Sequence, residues 1–224
     1  MATIPLLHVP TVRLNGSELR FPVRRIYCVG RNYADHAREM GGDPQRELPF
    51  FFSKPADAVV ASGRRLPFPV RTSDLHHEVE LVIALAKGGS SIRVADAESM
   101  IFGYAVGIDL TRRDLQAEAK KTARPWDMAK GFDHSAPIGA LTSGTPPANG
   151  SITLTIDGDV RQKGDLKDMI WSVAEVIAAL STYVELAPGD LIFTGTPAGV
   201  GPIQRGETVR GEIAGIEPIE ITFE

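Results

Sequence analysis

Several features that define whole classes of protein are missing or scarce in this sequence of 224 residues. The single cysteine, Cys28, excludes a disulfide within the chain, and its apolar surroundings predict a small buried side chain. No run approaches the roughly 18 consecutive apolar residues of a membrane-spanning helix, so no membrane span is expected. The N-terminal segment is interrupted by Pro5, His8 and Pro10, which argues against a signal peptide. The simplest expectation is a cytoplasmic protein, with an organelle matrix as the alternative.

Basic residues are not in excess either. The 24 lysines and arginines are outnumbered by 28 aspartates and glutamates, which gives a formal net charge of -4. A nucleic-acid-binding protein usually carries a basic excess or stripe, so we expect no nucleic-acid partner. The small-residue loop over 194–201 allows close backbone approach to a ligand. The chain has no G-x-x-x-x-G-K-[ST] pattern, however, and nucleotide binding therefore has little support.

What the chain does contain is a series of short apolar or alternating segments. They predict strands at 26–29, 49–52, 77–86, 101–109, 152–156, 160–162, 191–193, about 207–213 and 217–223. Asp157-Gly158 is a hairpin turn signal between two of these strands. Helices are predicted at 33–40, 94–100, about 111–121 and 171–182. Asn32 is the expected N-cap of the first helix, and Thr111 that of the third.

Strands outnumber helices in this pattern, and no regular alternation of strand and helix is present. That favours an α+β fold with a mixed, strand-rich sheet, rolled or barrel-like, and short peripheral helices. No internal repeat or obvious linker divides the chain. We therefore expect a single domain over 1–224, with a short N-terminal segment at about 1–22.

Three carboxylates stand out against apolar surroundings. Glu78 and Glu80 are two apart on a predicted strand and share one face, while Val79 and Leu81 point into apolar packing. A solvated strand face is the simpler interpretation of such a pair. Asp109 favours a cation site over a solvated face, because it ends an otherwise apolar strand. A charge there must be paired, coordinated or at the sheet edge. The three together predict a cation site.

The donor types limit which cation can bind. Three carboxylates without a cysteine or histidine cluster describe a hard oxygen site, which suits Mg²⁺ or Mn²⁺, with Ca²⁺ also possible. His76 and His77 adjoin Glu78 and could instead be zinc ligands. We favour a loop or supporting role for both, with His76 on the face of the glutamates and His77 on the other face.

A histidine and a glutamate lie close together on the first predicted helix. His36 and Glu39 are three apart and therefore neighbours on one helix face. A carboxylate beside an imidazole fixes its tautomer and raises its basicity, as a general base requires. The simpler alternative is an exposed helical pair. Gly41-Gly42 can serve as a hinge, so the helix can act as a lid over the cation site.

Cationic and amide side chains follow Asp109. Arg113 and Gln116 are three apart on the predicted helix and face back towards the strand end, and Lys130 lies further along the chain. Most such residues are surface charges when they are considered singly. Beside a bound metal they would suit an anionic, carboxylate-bearing substrate.

These residues lie in segments that resemble the fumarylacetoacetate hydrolase family, and specifically its small acylpyruvase and fumarylpyruvate hydrolase branch. The similarity spans almost the whole chain in order. The matching segments are YCVGRNYADHAREMG (27–41), PFFFSKPADAVV (49–60), HHEVELVIAL (76–85), GYAVGIDLTRRDLQ (103–116), AKGFDHSAPIG (129–139) and DLIFTGTPAGVG (190–201).

The resemblance implies roles for individual residues. The metal ligands would be Glu78, Glu80 and Asp109, and the water-activating dyad would be His36 and Glu39. Substrate contacts are implied for Lys130, Arg113, Gln116 and Thr196, and we expect Arg31 and Lys54 to help shape the acyl pocket. The resemblance also implies a homodimer built around a mixed β-roll.

The reaction implied is hydrolysis of a C–C bond in a 2,4-dioxo acid, an acylpyruvate such as fumarylpyruvate, to give pyruvate and a carboxylic acid. His36, oriented by Glu39, would activate water, and the metal and Lys130 would stabilise the enolate charge of the departing pyruvate. Oxaloacetate decarboxylation and oxo-acid tautomerisation or hydration use the same kind of site and remain alternatives. A more distant alternative is a non-catalytic dicarboxylate-binding protein.

Overall fold

Strands predominate in the computed structural model of the chain, which describes residues 8–39 and 47–224. The strands are β1 (Thr11–Arg13), β2 (Arg20–Pro22), β3 (Arg25–Val29), β4 (Phe51–Lys54), β5 (Val59–Ala61), β6 (Arg64–Leu66), β7 (Leu75–His77), β8 (Val79–Leu85), β9 (Ile101–Ile108), β10 (Thr111–Arg112), β11 (Ala136–Ile138), β12 (Thr142–Ser143), β13 (Ser151–Ile156), β14 (Asp159–Asp165), β15 (Asp190–Phe193), β16 (Gly201–Ile203), β17 (Thr208–Ile213) and β18 (Ile219–Phe223). The α-helices are α1 (Ala34–Glu39), α2 (Val94–Ala97), α3 (Arg113–Lys121), α4 (Asp127–Lys130) and α5 (Val173–Leu180). None of these helices is long and apolar enough to cross a membrane.

Two sheets contain most of the strands. The larger has the order β4-β3-β15-β8-β9-β11-β5, with β12 also paired to β9, and it curls into a half-barrel. The smaller has the order β14-β13-β17-β18-β6. Neighbouring strands are antiparallel except for the pairs β3/β15, β5/β11 and β6/β18. The predicted α+β class, with a mixed strand-rich sheet and short helices, is confirmed.

Alternate residues of β8 supply both faces of the larger sheet. Val79 and Leu81 belong to an apolar cluster shared with the smaller sheet, as predicted from their spacing. Val82 belongs to a second cluster, which includes the fully buried Cys28 and is joined by Phe21 of the β1–β2 hairpin. Full burial of a valine, leucine or phenylalanine side chain contributes about 1.5–3 kcal/mol to the free energy of folding. The centre of the larger sheet is therefore a rigid base for groups at its strand ends.

One hairpin turn and one helix cap follow directly from the local sequence. Asp157 and Gly158 join β13 to β14 with φ of 50° and 93°, the left-handed values that a two-residue hairpin turn needs. Ser172 caps α5 in a capping box with Glu175. The predicted hairpin and the predicted helix at 171–182 are therefore present, the helix being shorter at both ends.

The predicted strand 77–86 is wrong in one respect, because it is two strands. The chain passes from one sheet to another at Glu78: β7 pairs with β10 and β16, whereas β8 pairs with β9 and β15. At the break, the Glu78 carbonyl accepts a hydrogen bond from Asp109 N at 2.8 Å. The break thus joins two of the predicted ligands through the backbone.

Both predicted N-caps are wrong. Thr111 lies in β10, and its hydroxyl donates to Glu78 Oε1 at 3.3 Å. The Asn32 side-chain amide donates to the carbonyls of Trp171 and Thr194 and accepts from Trp171 N. Each polar side chain is used to join distant segments, which local cap rules do not anticipate. The predicted end of the first helix at residue 40 and its glycine hinge lie outside the described residues.

Candidate active site

The three predicted carboxylates meet at one end of β8 and β9. Ligand atoms of Glu78, Glu80 and Asp109 lie within 4.8 Å of one another, and each residue is at most 5% exposed. Val79 of β8 pairs with Ile108 of β9, so the residues that flank this pair come together across the antiparallel ladder. The cluster is thus a consequence of strand register.

Cationic side chains surround two of the carboxylates. Lys130 Nζ lies 2.8 Å from both Glu78 Oε2 and Asp109 Oδ2. Lys54 Nζ lies 2.8 Å from Asp109 Oδ1, and Arg113 Nη2 donates to Glu78 Oε1 at 2.6 Å. These ion pairs are almost fully removed from solvent, so the loss of one partner would leave a costly buried charge.

The three carboxylates differ in how well they are compensated. Burial raises the pKa of Glu78, but Lys130 and Arg113 outweigh that effect and hold the pKa below its usual range. Burial and the charges of Asp109 and Glu78 raise the pKa of Glu80 well above its usual value. Among residues 8–39 and 47–224, the hydrogen bond to the Glu80 carboxylate comes from Gly195 N at 2.7 Å. A further positive charge would stabilise the ionised form of Glu80.

This donor set fits a divalent cation. Three carboxylates converge, one of them is under-compensated, and Asp109 Oδ1 is buried without a hydrogen bond because Lys54 approaches it outside hydrogen-bonding geometry. Oxygen-only donors of this kind suit Mg²⁺, Mn²⁺ or Ca²⁺. The three residues would supply the protein ligands, and water or substrate oxygens would complete the coordination.

His36 and Glu39 form the predicted pair. His36 Nδ1 lies 3.2 Å from Glu39 Oε2, and the imidazole is buried. Because an ionised carboxylate can only accept, Nδ1 carries the hydrogen and Nε2 is left with its lone pair. Glu39 also accepts from Gly199 N at 3.2 Å. The pair is therefore oriented for general-base chemistry and docked on the segment that follows β15.

A small cavity of about 20 Å³ is lined by His36 of the pair and by Glu78 of the three carboxylates. Its walls include His36, Glu78 and Lys130, together with Arg31, Arg113, Gln116, Lys120, Phe50, Phe52 and Trp126. Arg113 Nη1 donates to Gln116 Oε1 at 2.7 Å, as their spacing predicted. Two larger grooves, of about 400 and 500 Å³, are lined by none of the three carboxylates. We place the site at the small cavity, where the reactive groups converge.

Two predicted substrate contacts are already bonded to protein groups. Lys54 is buried against Asp109 and donates to the carbonyls of Leu110 and Lys130. The Thr196 hydroxyl donates to Val79 O at 2.8 Å. Neither side chain is among those that line the small cavity. Their contact with substrate stays a prediction, whereas Arg31, Arg113, Gln116 and Lys130 do line the cavity.

The two histidines beside Glu78, His76 and His77, do not belong to the carboxylate cluster found among the described residues. Arg113 Nε donates to His76 Nδ1 at 3.4 Å, so His76 Nε2 carries the hydrogen that Asp74 accepts at 2.9 Å. His77 faces the smaller sheet and contacts Gln162 at 3.0 Å. Burial lowers the pKa of His77 to about 4. The preference for a supporting role over zinc ligation agrees with this geometry.

Several groups at the site went unnoticed in the sequence. They are the Thr111 hydroxyl on Glu78, the Gly195 N–H on Glu80, the buried Gln162, and the walls formed by Lys120 and Trp126. The segments that resemble the family include the first two, but no local pattern marks either as a contact. Gln162 lies on a polar strand and gives no signal at all.

Comparison with known proteins places this site in a family. The fumarylacetoacetate (FAA) hydrolase C-terminal domain family matches residues 25–224. The crystal structure of fumarylpyruvate hydrolase from Pseudomonas aeruginosa in complex with Mn²⁺ and pyruvate is similar with a TM-score of 0.95 and 50% identity, covering 99% of each chain.

Two further relatives carry different activities in their names. The fumarylpyruvate hydrolase of a Ralstonia species is 41% identical over 182 residues, covering 80% of this chain and 95% of the relative. The mitochondrial oxaloacetate tautomerase of Arabidopsis thaliana is 39% identical over 203 residues, covering 89% and 91%. The chain belongs to the fumarylacetoacetate hydrolase family.

Proposed function

We propose that this protein is a divalent-metal-dependent hydrolase that cleaves a C–C bond in a 2,4-dioxo acid, an acylpyruvate such as fumarylpyruvate, to give pyruvate and a carboxylic acid. The observation that carries the proposal is the position of His36. Its imidazole is oriented by Glu39 at 3.2 Å and shares a cavity with Glu78 and Lys130. Water activation beside a cation site is what such a hydrolysis requires.

Glu78, Glu80 and Asp109 would hold the cation, Mg²⁺ or Mn²⁺, with Ca²⁺ also possible. The named Mn²⁺ complex of the P. aeruginosa relative supports this assignment. When bound, the cation would supply Lewis-acid stabilisation of negative charge on the substrate oxygens. The remaining chemistry falls to the side chains of the chain itself.

His36 would accept a proton from water at Nε2, since Nδ1–H is already donated to Glu39. The Glu39 carboxylate would then stabilise the imidazolium that forms. Hydroxide adds to the carbonyl carbon of the acyl group, and the C–C bond to the pyruvate unit breaks. The bonding electrons leave with pyruvate as its enolate. The enolate carbon then takes up a proton to give pyruvate, while His36 gives up the proton that it accepted from water.

Cations at the cavity would hold the substrate and the leaving group. Lys130 contributes an ammonium that can stabilise the developing enolate oxygen. Arg113 and Gln116, held to each other at 2.7 Å, are placed to bind the substrate carboxylate. Arg31 lies on the same cavity wall and would contact the acyl group.

A second candidate is oxaloacetate tautomerisation or decarboxylation. The identity to the Arabidopsis oxaloacetate tautomerase, 39%, is close to that with the Ralstonia hydrolase, 41%, and the same cavity cations suit a dicarboxylate. The His36–Glu39 pair favours hydrolysis, because decarboxylation has less need of a water-activating base. We further propose a single domain, a homodimer and a cytoplasmic location. The mitochondrial name of the Arabidopsis relative leaves an organelle matrix as the other compartment to test.

A substrate panel tests the proposal. Purified protein with Mg²⁺ or Mn²⁺ would be given fumarylpyruvate, acetylpyruvate and oxaloacetate, with loss of the dioxo-acid absorbance and release of pyruvate measured together. We expect metal-dependent pyruvate release from an acylpyruvate and its loss in His36→Ala. Normal turnover in metal-stripped protein would contradict the scheme. Preference for oxaloacetate would favour the second candidate, and binding without turnover would indicate a dicarboxylate-binding protein.

A further inference from the structure

Gln162 is the buried residue of an otherwise exposed or half-exposed edge strand. On β14, its neighbours Arg161 and Lys163 are exposed, whereas Gln162 has no exposed surface. The register between β13 and β14 shifts at this point: Leu154 pairs with Gln162, and Thr155 pairs with Val160. The extra residue, Arg161, is a β-bulge, a device that re-aims a neighbouring side chain. The bulge turns Gln162 inward.

The amide of Gln162 is fully bonded, and backbone partners fix its orientation. Oε1 accepts from Val79 N at 3.0 Å, and Nε2 donates to Pro197 O at 2.8 Å. A backbone N–H can only donate and a carbonyl can only accept, so the amide cannot be reversed. His77 Nδ1 must therefore donate to Oε1, and Thr196 Oγ1 accepts from Nε2 at 2.8 Å.

The partners of Gln162 belong to two segments that serve the proposed site. Val79 lies between the carboxylate residues Glu78 and Glu80. Thr196 and Pro197 belong to residues 194–199, which run from β15 towards His36 and Glu39. One buried amide thus connects the cation site to this loop.

Residues 194–199 run beside β8 and connect two carboxylates of the site. Thr194 N donates to Leu81 O at 3.0 Å, Gly195 N to Glu80 at 2.7 Å, and Gly199 N to Glu39 at 3.2 Å. The loop therefore contacts a proposed cation ligand near one end and the partner of His36 at the other.

The loop also packs tightly against the bulge. A Cβ on Gly199 would lie 2.3 Å from Arg161 O, and a Cβ on Gly164 would lie 2.7 Å from Pro197 Cβ. Such approaches leave no room for the loop to shift sideways while β14 stays in place. The bulge and Gln162 together set the position of the loop.

We propose that Gln162 is a positioning residue that couples the cation site to the docking of α1, by holding residues 194–199 against β8. This inference rests on the proposed function for its consequence in catalysis. Thr194 and Thr196 bond β8 directly, whereas Pro197 is tied to β8 through Gln162. Without Gln162, movement at Glu80 would be passed less well through the second half of the loop to Gly199 and Glu39.

The test uses Gln162→Met, an apolar side chain of similar size that removes all four hydrogen bonds. Gln162→Glu is a second variant, which keeps the acceptor contacts to His77 and Val79 but loses both donations to the loop. Ser181→Ala is the matched control. Ser181 is also a buried polar residue with two hydrogen bonds, to Ile92 N and Ala178 O, and it lies outside the site.

Three measurements are made on each protein: Mn²⁺ affinity by calorimetry, hydrogen exchange of the peptides that cover 194–201 and α1, and kcat with KM. For Gln162→Met we expect Mn²⁺ affinity to fall about tenfold, as is typical when a group that supports a metal site is removed. Exchange at 194–201 should be faster. In the wild type we expect Mn²⁺ to slow exchange in α1, and in Gln162→Met this slowing should be lost. Gln162→Glu should keep affinity closer to wild type but show the faster exchange.

Ser181→Ala should lose stability while its Mn²⁺ affinity and loop exchange stay as in the wild type. Folded Gln162 variants with wild-type affinity and wild-type exchange at 194–201 would overturn the inference. If wild-type protein binds no Mn²⁺, the proposed function fails instead. The exchange of 194–201 without metal then still decides whether Gln162 holds the loop.

Discussion

The backbone N–H of Gly199 lies 3.2 Å from each carboxylate oxygen of Glu39. This contact fastens α1, and with it His36, to the segment that follows β15. Position 199 is glycine for two local reasons: its φ is +94°, and a Cβ would meet Arg161 O at 2.3 Å. The docking of α1 therefore depends on a residue with no side chain.

Gly199→Ala should lower kcat at least about tenfold, because the displaced backbone no longer holds the orienting carboxylate. Gly158→Ala is the control: its φ is +93°, yet no atom lies within 4 Å of the added Cβ. Both variants should lose about 1 kcal/mol of stability from the left-handed backbone, and Gly199→Ala should lose more because of its clash with Arg161 O. Steady-state kinetics and denaturant unfolding separate the two effects, and equal turnover in both variants would contradict the expectation.

Glu39→Gln should reduce kcat about a hundredfold, the low end of what a general base contributes, because His36 loses the carboxylate that orients it. The amide can still accept from Gly199 N, but it cannot stabilise the imidazolium of His36. Mn²⁺ affinity measured by calorimetry should stay unchanged. Asp35→Asn, which removes an exposed charge from the same helix, should change neither kcat nor Mn²⁺ affinity. A large loss of metal binding in Glu39→Gln would show that the pair acts on the cation site instead.

Lys130→Met should destabilise the metal-free protein by about 3–5 kcal/mol, because two buried carboxylates lose their shared cation. Added Mn²⁺ should recover part of that loss, since it neutralises the same charges. The free energy of unfolding, measured in urea with chelator and then with Mn²⁺, gives both values. Lys121→Met, an exposed lysine on α3, should change neither. A loss that Mn²⁺ does not reduce would argue against a shared site.

Glu80→Gln should abolish the stabilisation by Mn²⁺ while leaving the metal-free protein as stable as the wild type or more so. The amide keeps an acceptor for Gly195 N and removes a carboxyl whose ionised form lies beside two buried like charges. Wild-type protein should gain about 2.7 kcal/mol at a metal concentration one hundred times Kd. Thermal unfolding with and without Mn²⁺ measures this, and exposed Glu212→Gln should behave as wild type. A full Mn²⁺ response in Glu80→Gln would remove this residue from the ligand set.

Asp114→Ala should show a pH-dependent loss of stability. Burial opposes ionisation of Asp114, but hydrogen bonds from Ser73 N, the Thr72 hydroxyl and Leu115 N lower its pKa below the ordinary 3.8. A carboxyl with a lowered pKa stabilises the fold above the unfolded value, and that contribution disappears as the pH falls through the folded value.

We therefore expect Asp114→Ala to cost about 1–3 kcal/mol near pH 7. The difference in the free energy of unfolding between Asp114→Ala and the wild type should begin to shrink just below pH 4 and disappear at lower pH. Urea unfolding across that range measures the difference. Exposed Glu118→Ala on the same helix should show a small and nearly constant effect. A gap that is independent of pH would mean that the charge of Asp114 contributes nothing.

Much of the sheet could be predicted because its longer strands have clear patterns. The apolar run of β9 and the alternating pattern of β13 are typical of strands, and Asp157-Gly158 marks the turn. Strands of two or three residues, such as β5, β10 and β16, have no periodicity to detect. The break at Glu78 was missed for a different reason: it is a change of sheet, fixed by pairing with distant strands.

The site divides in the same way. Glu78, Glu80 and Asp109 could be predicted because charges within apolar segments are local anomalies. The orientation of Gln162 could not, because the bulge at Arg161 depends on pairing with β13 and on contact with Gly199. The caps assigned to Asn32 and Thr111 failed because a polar side chain near a helix start can be engaged by a distant segment.

Cys28 has a practical consequence. It is the one thiol of the chain, it has no exposed surface, and burial raises its pKa well above the ordinary value. A thiol in that state reacts poorly with alkylating reagents in the folded protein. A cysteine introduced at exposed Arg38 on α1 would therefore take up a spin label or fluorophore selectively, without removal of the native residue. The prediction that α1 moves as a lid can then be tested by spectroscopy in a chain that differs from the natural one at a single position.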